Sequence, residues 1–388
     1  MSSRKGPLSG IRVVELAGLG PAPFGAMLLA DMGAEVVRID RTQGGVGIGL
    51  KTQYDVLARG RQFVRADLKH PRGKETVLRL IDQADVLIEG FRPGVLERLG
   101  LGPDVLLARN PRLVIGRMTG WGQDGPLAQR SGHDINYIAL AGALFSIGQK
   151  DGPPVVPLNL IGDFGGGGLL LAFGVLCALL EARISGHGQV VDAAMVDGAA
   201  LLTAGVHAML AQGLFREGRG ESILNGGAPF YGVYECADGE FVTIGALEPQ
   251  FYEELMARLQ LDPAIFADRH PRNWSKQRST LAAVFKTRTR DEWCDVLQDT
   301  DICFAPVLRM SEAPNHPHNR ARGVFTEVNG LVQPVPAPRF SRTSATVNAP
   351  AAAPGTHTDD VLSRWGFAPG EIAELHAAGV IAGPNDHK

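Results

Sequence analysis

The sequence predicts an α/β protein, in which a parallel sheet covered by helices on both faces is followed by a smaller α+β domain. Three observations carry this. β-branched runs alternate with helically spaced segments through the first half of the chain. In the second half the texture changes, with two strand-like runs set around Asp238-Gly239, a strong hairpin signal. With 388 residues, 45% of them apolar, the chain is long enough for two domains or for one large domain with an excursion.

The elements follow in order. IRVVEL (11–16) is a strand, PFGAMLLADMG (23–33) has helical spacing with a glycine stop, and AEVVRID (34–40) is a strand again. A helical segment from about Gly73 to Gln83 precedes the strand DVLIEGF (85–91), and LVIGRMT (113–119) repeats the pattern. A long helix is expected near 165–183 and another near 196–212. The hairpin FYGVYECADGEFVTIGAL (230–247) comes next, with helices near 249–260, 275–286 and 290–299. A Pro/Ala-rich extended stretch and two short helices, HTDDVLSRWGF and PGEIAELHAAGVI, then return the chain to the first domain. The boundaries are placed at 1–197 for the large domain, 198–224 for a linker, 225–318 for the small domain and 319–388 for the return segment and its helices. No internal repeat is visible.

A net charge of -3 and a pI near 6.4 give no general attraction to nucleic acid or to an anionic membrane. Cys177, Cys236, Cys294 and Cys303 are widely spaced without a CxxC pair, so neither a disulfide framework nor a metal site is indicated. A reducing, cytoplasmic compartment is expected. MSSRKGPLSG lacks the apolar core of a signal peptide, and GPNDHK carries no sorting tripeptide. The longest apolar run, LLLAFGVLCALL (169–180), falls short of the roughly 20 residues that span a bilayer. It reads as a buried helix.

GWGQDG (120–125) formally matches a dinucleotide-binding pattern, but Pro126 follows and no helix begins there, so a tight loop is the better reading. More informative is the basic segment holding Arg38, Arg41, Lys51, Arg59, Arg61, Arg65, Lys69, Arg72 and Lys74, against Asp40, Asp55 and Asp67. Guanidinium pairs suit phosphoryl oxygens, although charge patterning alone leaves a solvated face open. Nucleic acid is not expected there, because the interleaved aromatics that stack bases are nearly absent. Asp163 stands ahead of four glycines and an apolar helix. A helix cap explains it; so does a ligand brought close to bare amides near 164–167, where a developing oxyanion would be stabilised. His133 follows Gly132 and precedes Asp134, which is placed either to orient the imidazole or to cap the INYIALAG helix. Glu248 sits at a strand-to-helix corner with Pro249 at the first helical position.

Together GPLSGIRVVELAGLGPAPFGAMLLADMGAEVVRIDR, ADLK, DVLIEGFRPGVLERLGLGP, GHDINYIALAG, PLNLIGDFGGGG, GQVVDAAMVDGAA, GGAPFYGVYECADGEFVTIGALEPQFYEEL and PHNRARGVF resemble the family III CoA-transferase superfamily over nearly the whole chain. Within it they are most similar to the enzymes that racemise 2-methylacyl-CoA thioesters. The resemblance implies a Rossmann-like large domain and a small α+β domain in a ring-like subunit. Two such subunits interlock as an obligate homodimer, with each active site between the large domain of one and the small domain of the other. It implies an acyl-CoA thioester substrate and no cofactor apart from the CoA that the substrate carries.

Residue by residue, His133 matches the family's acid/base histidine and Asp163 its aspartate partner. Glu248 matches a glutamate that the second subunit brings near the histidine, and Asn159 a polar neighbour. For CoA the matches are Arg41, the segment Ala66, Asp67, Leu68 and Lys69, then Arg92, and Gly132 with Asp134, Ile135, Asn136 and Tyr137. The segment 42–65 is longer and richer in glycine than the family pattern, so contacts there carry over least well. An imidazole titrates near neutrality and suits one face of the α-carbon; Asp163 serves the other. The rival within the superfamily is a transferase whose aspartate, at the position of Asp163, attacks the thioester and carries the acyl group as an anhydride. GHDINY and GALEP favour the racemase, because a transferase has no evident need of a histidine facing that aspartate. An idle CoA-binding scaffold would have lost the acid/base pair.

Overall fold

The structure is a computed structural model and describes residues 5–44, 49–384 and 386. The readings made at the two extreme termini, and part of the glycine-rich segment after Arg41, lie outside the described residues. The chain divides into two compact units, residues 1–141, 158–202 and 320–388 in one, and residues 142–157 and 203–319 in the other.

In the first unit β1 (Arg12–Leu16), α1 (Pro21–Asp31), β2 (Glu35–Asp40), β3 (Arg61–Ala66), α2 (Pro71–Ile81) and β4 (Val86–Glu89) follow in order. The short helices α3 (Val95–Arg98) and α4 (Pro103–Arg109) lead to β5 (Val114–Thr119) and then α5 (Asp134–Leu140). A π-helical stretch, Leu160–Leu169, runs directly into α6 (Leu170–Ser185), followed by β6 (Val190–Ala194) and α7 (Met195–Leu202). Six strands lie parallel in the order β3-β2-β1-β4-β5-β6, the strand order of doubly wound nucleotide-binding folds. Alternation along each strand supplies both cores. Val13, Val36, Val86, Ile88 and Val114 pack with α1 and α6, while Val14, Leu16, Val37, Ile39, Leu87 and Ile115 pack with α2 and the C-terminal helices. Burial on both faces is why these strands read as nearly unbroken apolar runs.

β3 is the exception, and it escaped the sequence reading. Two of its buried positions, Arg61 and Arg65, are arginines held by internal partners. Arg61 is fully buried: its Nε donates to Glu15 Oε2 at 2.6 Å, and its remaining nitrogens donate to the carbonyls of Leu57, Arg59 and Pro23. Arg59 grips Asp31 at 2.6 Å and donates to Gln333, and Arg38 pairs with Asp40 at 3.2 Å. Arg65, also buried, donates to the carbonyl of Gly383. Four members of the basic segment are therefore committed to the interior, which corrects its reading as a single phosphate-binding cluster; Arg41, Lys51, Lys69 and Arg72 stay exposed.

The second unit holds α8 (Ala204–Ala211), an antiparallel sheet of β7 (Tyr231–Glu235), β8 (Phe241–Gly245) and β9 (Ala305–Pro306), and helices α9 (Pro249–Arg258), α10 (Pro263–Phe266), α11 (Trp274–Phe285) and α12 (Arg290–Leu297). The hairpin turns at Asp238-Gly239 as expected, with Gly239 at φ +81. Phe230, Tyr234, Tyr252, Leu255, Phe285 and Trp293 build its core. The single helix expected near 196–212 is two, α7 and α8, because Thr203 between them leaves helical geometry.

Helix α13 (Pro317–Arg322) leads into the hairpin of β10 (Phe325–Val328) and β11 (Leu331–Pro334), then α14 (Thr358–Arg364), α15 (Pro369–Ala377) and β12 (Ile381–Ala382). β12 pairs antiparallel with β3 and makes the sheet seven-stranded. Trp365, fully buried, shares a core with Leu80 and Ile81.

One length estimate needs correction. The continuous helix Leu160–Ser185 has 26 residues and a mean hydropathy of 1.8 in its most apolar window, so by length and composition it is sufficient to cross a membrane. Only one side is buried, by Leu171, Ala172, Val175, Ala178, Leu179 and Ala182; the other exposes Leu169, Phe173, Leu180 and Ile184. A core helix of a folded unit meets the same length and composition criteria.

Removing one partner of the Glu15–Arg61 pair leaves a buried, uncompensated charge. Arg61→Ala is expected to cost about 3–5 kcal/mol of unfolding free energy in urea titration, and Glu15→Leu combined with Arg61→Met to cost less than that single change.

Candidate active site

In a sheet of this order the strand order reverses between β1 and β4, and ligands collect in the crevice beyond the carboxyl ends of those strands. Arg41 follows β2, Ala66 ends β3 with Asp67, Leu68 and Lys69 next, Arg92 follows β4, and the loop after β5 leads to Gly132 and α5. The expected CoA contacts thus lie at one edge of the parallel sheet, on strand ends, on the loops that follow them, and on the first turn of α5. Arg41, Lys69 and Arg92 are exposed there; Leu68 packs against the core, and Asp67 Oδ1 accepts a 2.9 Å bond from the amide of Lys69.

Asp163 lies at the same edge. Its carboxylate sits over Gly20, the residue that starts α1 just past β1; a Cβ at Gly20 would come within 3.4 Å of Asp163 Oδ2. Two expectations about Asp163 are corrected. It does not cap the apolar helix: Asn159 holds the cap, and Asp163 lies inside the π-helical stretch. Nor are the amides at 164–167 available to an oxyanion, because in a π-helix each amide donates to the carbonyl five residues back. The glycines serve packing instead. A Cβ at Gly166 would meet Ala199 N at 2.6 Å, and one at Gly168 would meet the Pro21 carbonyl at 2.5 Å, so α7 and α1 approach the stretch backbone to backbone.

Asn159 Nδ2 donates to Asp163 Oδ2 at 3.1 Å, one turn along the stretch. Burial holds the Asp163 carboxyl above the ordinary range; the Asn159 bond pulls it down, nearby Asp134 pushes it up, and His133 pulls it down. Among charged side chains, then, the two that act on Asp163 are neighbours in sequence on another element.

His133 is the cap residue of α5 and is exposed. Asn136 Oδ1 accepts from its amide at 3.0 Å, and its carbonyl accepts from the amides of Asn136 and Tyr137, so the main chain at His133 is fixed on both sides. Asp134, expected to orient the imidazole or to cap α5, does neither. It is the first helical residue, it is buried, and its Oδ1 accepts the Asp163 amide at 2.7 Å. Ile135 is exposed.

Tyr137 is buried and packs edge-on against Trp121, with ring centroids 4.7 Å apart. Its slot is made by missing side chains: a Cβ at Gly120 would lie 2.1 Å from the ring, and one at Gly132 would lie 2.8 Å from it. The first glycine of GWGQDG, Gly120, therefore serves an aromatic contact, in keeping with the motif's rejection as a nucleotide site. Burial, with the charge of Asp163 close by, pushes the Tyr137 hydroxyl up to about 12.

Glu248 belongs to the second unit, where it is exposed and forms the cap of α9 with Pro249 in the first turn. The sequence reading missed Gly20, and also Glu89, whose Oε2 accepts the amide of Phe91 at 2.7 Å and shapes the turn carrying Arg92. Glu89 is itself buried against Arg117 at 2.8 Å. A carboxylate ending an otherwise apolar strand was its only signal.

The chain matches the model of CoA-transferase family III over residues 8–358. It is 45% identical to the alpha-methylacyl-CoA racemase of Mus musculus and 44% identical to that of Homo sapiens, in each case across 96% of this chain and 97% of the relative. The succinyl-CoA--L-malate CoA-transferase beta subunit of Chloroflexus aurantiacus is 31% identical, across 97% of this chain and 98% of that subunit. Among solved structures, a CAIB/BAIF family protein from Brucella suis aligns with a TM-score of 0.80 at 25% identity, covering 93% of this chain and all of the other. Fold and sequence agree along nearly the full length, and the chain belongs to CoA-transferase family III.

Proposed function

We propose that the protein is a racemase that interconverts (R)- and (S)-2-methylacyl-CoA thioesters by moving the α-proton from one face to the other through an enolate. The observation that carries this is Asp163, a half-buried carboxyl at the sheet's crevice, held toward protonation by burial and lying within electrostatic reach of His133. A carboxylic acid that keeps its proton closer to neutrality is suited to deliver it to a carbanionic carbon, and an imidazole is suited to remove one. His133 is the base for one enantiomer and Asp163 for the other, and the residue not acting as base returns a proton to the opposite face. Asn159 orients the Asp163 carboxylate. The high identity to two alpha-methylacyl-CoA racemases supports the same reading.

Arg41, Lys69 and Arg92 are suited to the phosphates of CoA, with Ala66 to Lys69 and Gly132 to Tyr137 along its path. The chemistry asks for no cofactor, since two side chains suffice to move the proton. Glu248 is supplied to the site by the second subunit of an obligate homodimer. In support, the continuous helix Leu160–Ser185 exposes Leu169, Phe173, Leu180 and Ile184 along one side, an apolar stripe suited to cover by another chain. A reducing, cytoplasmic location fits the four free cysteines.

NMR of the protein with either enantiomer of a 2-methylacyl-CoA in deuterated water, without an acceptor acid, is expected to give α-deuteration and drift toward a mixture from both sides. His133→Ala and Asp163→Ala should each keep CoA-ester binding while losing about 10²–10⁴-fold in racemisation. Absence of exchange, with CoA transfer to an added carboxylate and a hydroxylamine-trapped acyl group on Asp163, would replace this reading by the transferase. In sedimentation the wild-type protein should run as a dimer, and Phe173→Asp with Ile184→Asp should yield an inactive monomer; a stable, active wild-type monomer would contradict the shared site.

A further inference from the structure

We propose that Asp134 is the positioning residue of the proton-transfer pair: its carboxylate grips the main chain of Asp163 while its own main chain carries His133, so one residue sets the spacing of the two groups and the field at the second. This inference rests on the racemase reading of the same site.

The geometry is specific. Asp134 is the first residue of α5, where a carboxylate gains from the helix dipole and can stay in water. It turns inward instead and is 6% exposed. Oδ1 accepts the Asp163 amide at 2.7 Å, whereas Oδ2 is buried with no hydrogen-bond partner among the described residues. Room for this exists because residue 162 is glycine: a Cβ there would stand 2.6 Å from Asp134 Oδ1 and 2.9 Å from its Cγ. The bond joins Asp163 to the residue next to His133, and the His133 main chain is in turn held by Asn136. The two acid/base groups are thus linked through one side chain rather than through the length of chain between them.

A neutral acceptor would make the same bond to the Asp163 amide. A carboxylate with one oxygen unused is a costly way to supply it, so the charge calls for its own explanation. That explanation is its action on Asp163, where it adds to burial in keeping the carboxyl above its ordinary range, against the Asn159 bond and the His133 charge. From the same helix Tyr137 faces the pair, its hydroxyl pushed up to about 12 and so uncharged; Arg92, from the loop after β4, acts on that hydroxyl. On the other elements packed against the π-helical stretch, Asp197 of α7 and Arg117 of β5 act on Asp192 of β6. Asp134 is therefore the negative charge that, added to burial, raises proton affinity at Asp163.

The test is the pH profile of kcat/KM for racemisation of both enantiomers of one 2-methylacyl-CoA by the full-length protein. Asp134→Asn preserves shape and acceptor but removes the charge. Its acid limb, where the pair takes up a second proton, should move to lower pH by about one unit, because Asp163 loses proton affinity. The plateau should fall several-fold, equally in both directions, since the enzyme cannot move the equilibrium, while KM stays within about twofold. Asp134→Ala loses the grip as well and should fall at least about tenfold further in kcat, with melting curves reporting whether it remains folded. An Asp134→Asn acid limb at the wild-type pH would overturn the inference, whatever happens to kcat and whether or not Asp134→Ala folds. Asp163→Asn separates the two levels. If it still racemises, the acid/base reading itself fails; if it is dead while the Asp134→Asn limb is unmoved, the role of Asp134 alone fails.

Discussion

The buried pair of Glu15 and Arg61 is the constraint on which the placement of the site depends. A glutamate in the middle strand and an arginine two strands away both point into the face that α1 covers, where neither can reach water. An arginine without solvent must satisfy its donors inside the protein, and this one does so on Glu15 and on the carbonyls of Leu57, Arg59 and Pro23. The Pro23 bond ties down the first turn of α1, whose two prolines remove amides that would otherwise need partners. That turn meets the π-helical stretch at Pro21, against Gly167 and Gly168. A line of contacts therefore runs from the interior of the sheet to the backbone that carries Asp163.

The π-helical stretch explains how a carboxylate can be held so closely while still facing a crevice. Its wider turn is costly, and glycine weakens a helix further. Both costs are offset by backbone-to-backbone packing on α7 and α1, which no side chain interrupts, and by the apolar burial of α6 behind it. Asn159 and Asp163 come to face each other one turn apart on this stretch. On the other side of the crevice Tyr137, wedged into the slot left by Gly120 and Gly132, fixes α5 and with it the main chain at His133.

Much of this was legible in the sequence, for identifiable reasons. The β-branched runs at 11–16, 34–40, 85–91 and 113–119 are strands buried on both faces, and the turn at Asp238-Gly239 is local chemistry. β3 was hidden because RQFVRA places arginines where a buried strand usually shows aliphatic residues, and partners such as Glu15 and Gly383, distant in the chain, help make that tolerable. A period of two at Arg61, Phe63 and Arg65 was the signal available. The glycines after Asp163 pointed to a special place, but whether bare backbone admits a ligand or a neighbouring helix is decided by residues 195–199, some thirty positions on. His133 and Asp163 were recognisable as candidates for acid/base chemistry by residue type. The bond between Asp134 and the Asp163 amide was not, because it depends on two segments far apart in the chain.

The dense packing of backbones behind Asp163 also divides the neighbourhood into positions that can be altered and positions that cannot. Gly162, Gly166, Gly167, Gly168 and Gly198 each have main chain or buried side chains where a Cβ would stand, so library design aimed there would mostly sample unfolded protein. Leu19 and Leu160, exposed on either side of the same region, carry no such restriction. Efforts to broaden or narrow what the crevice accepts should therefore diversify those two leucines first and leave the glycine seam untouched, treating it as fixed scaffold rather than as part of the adjustable surface.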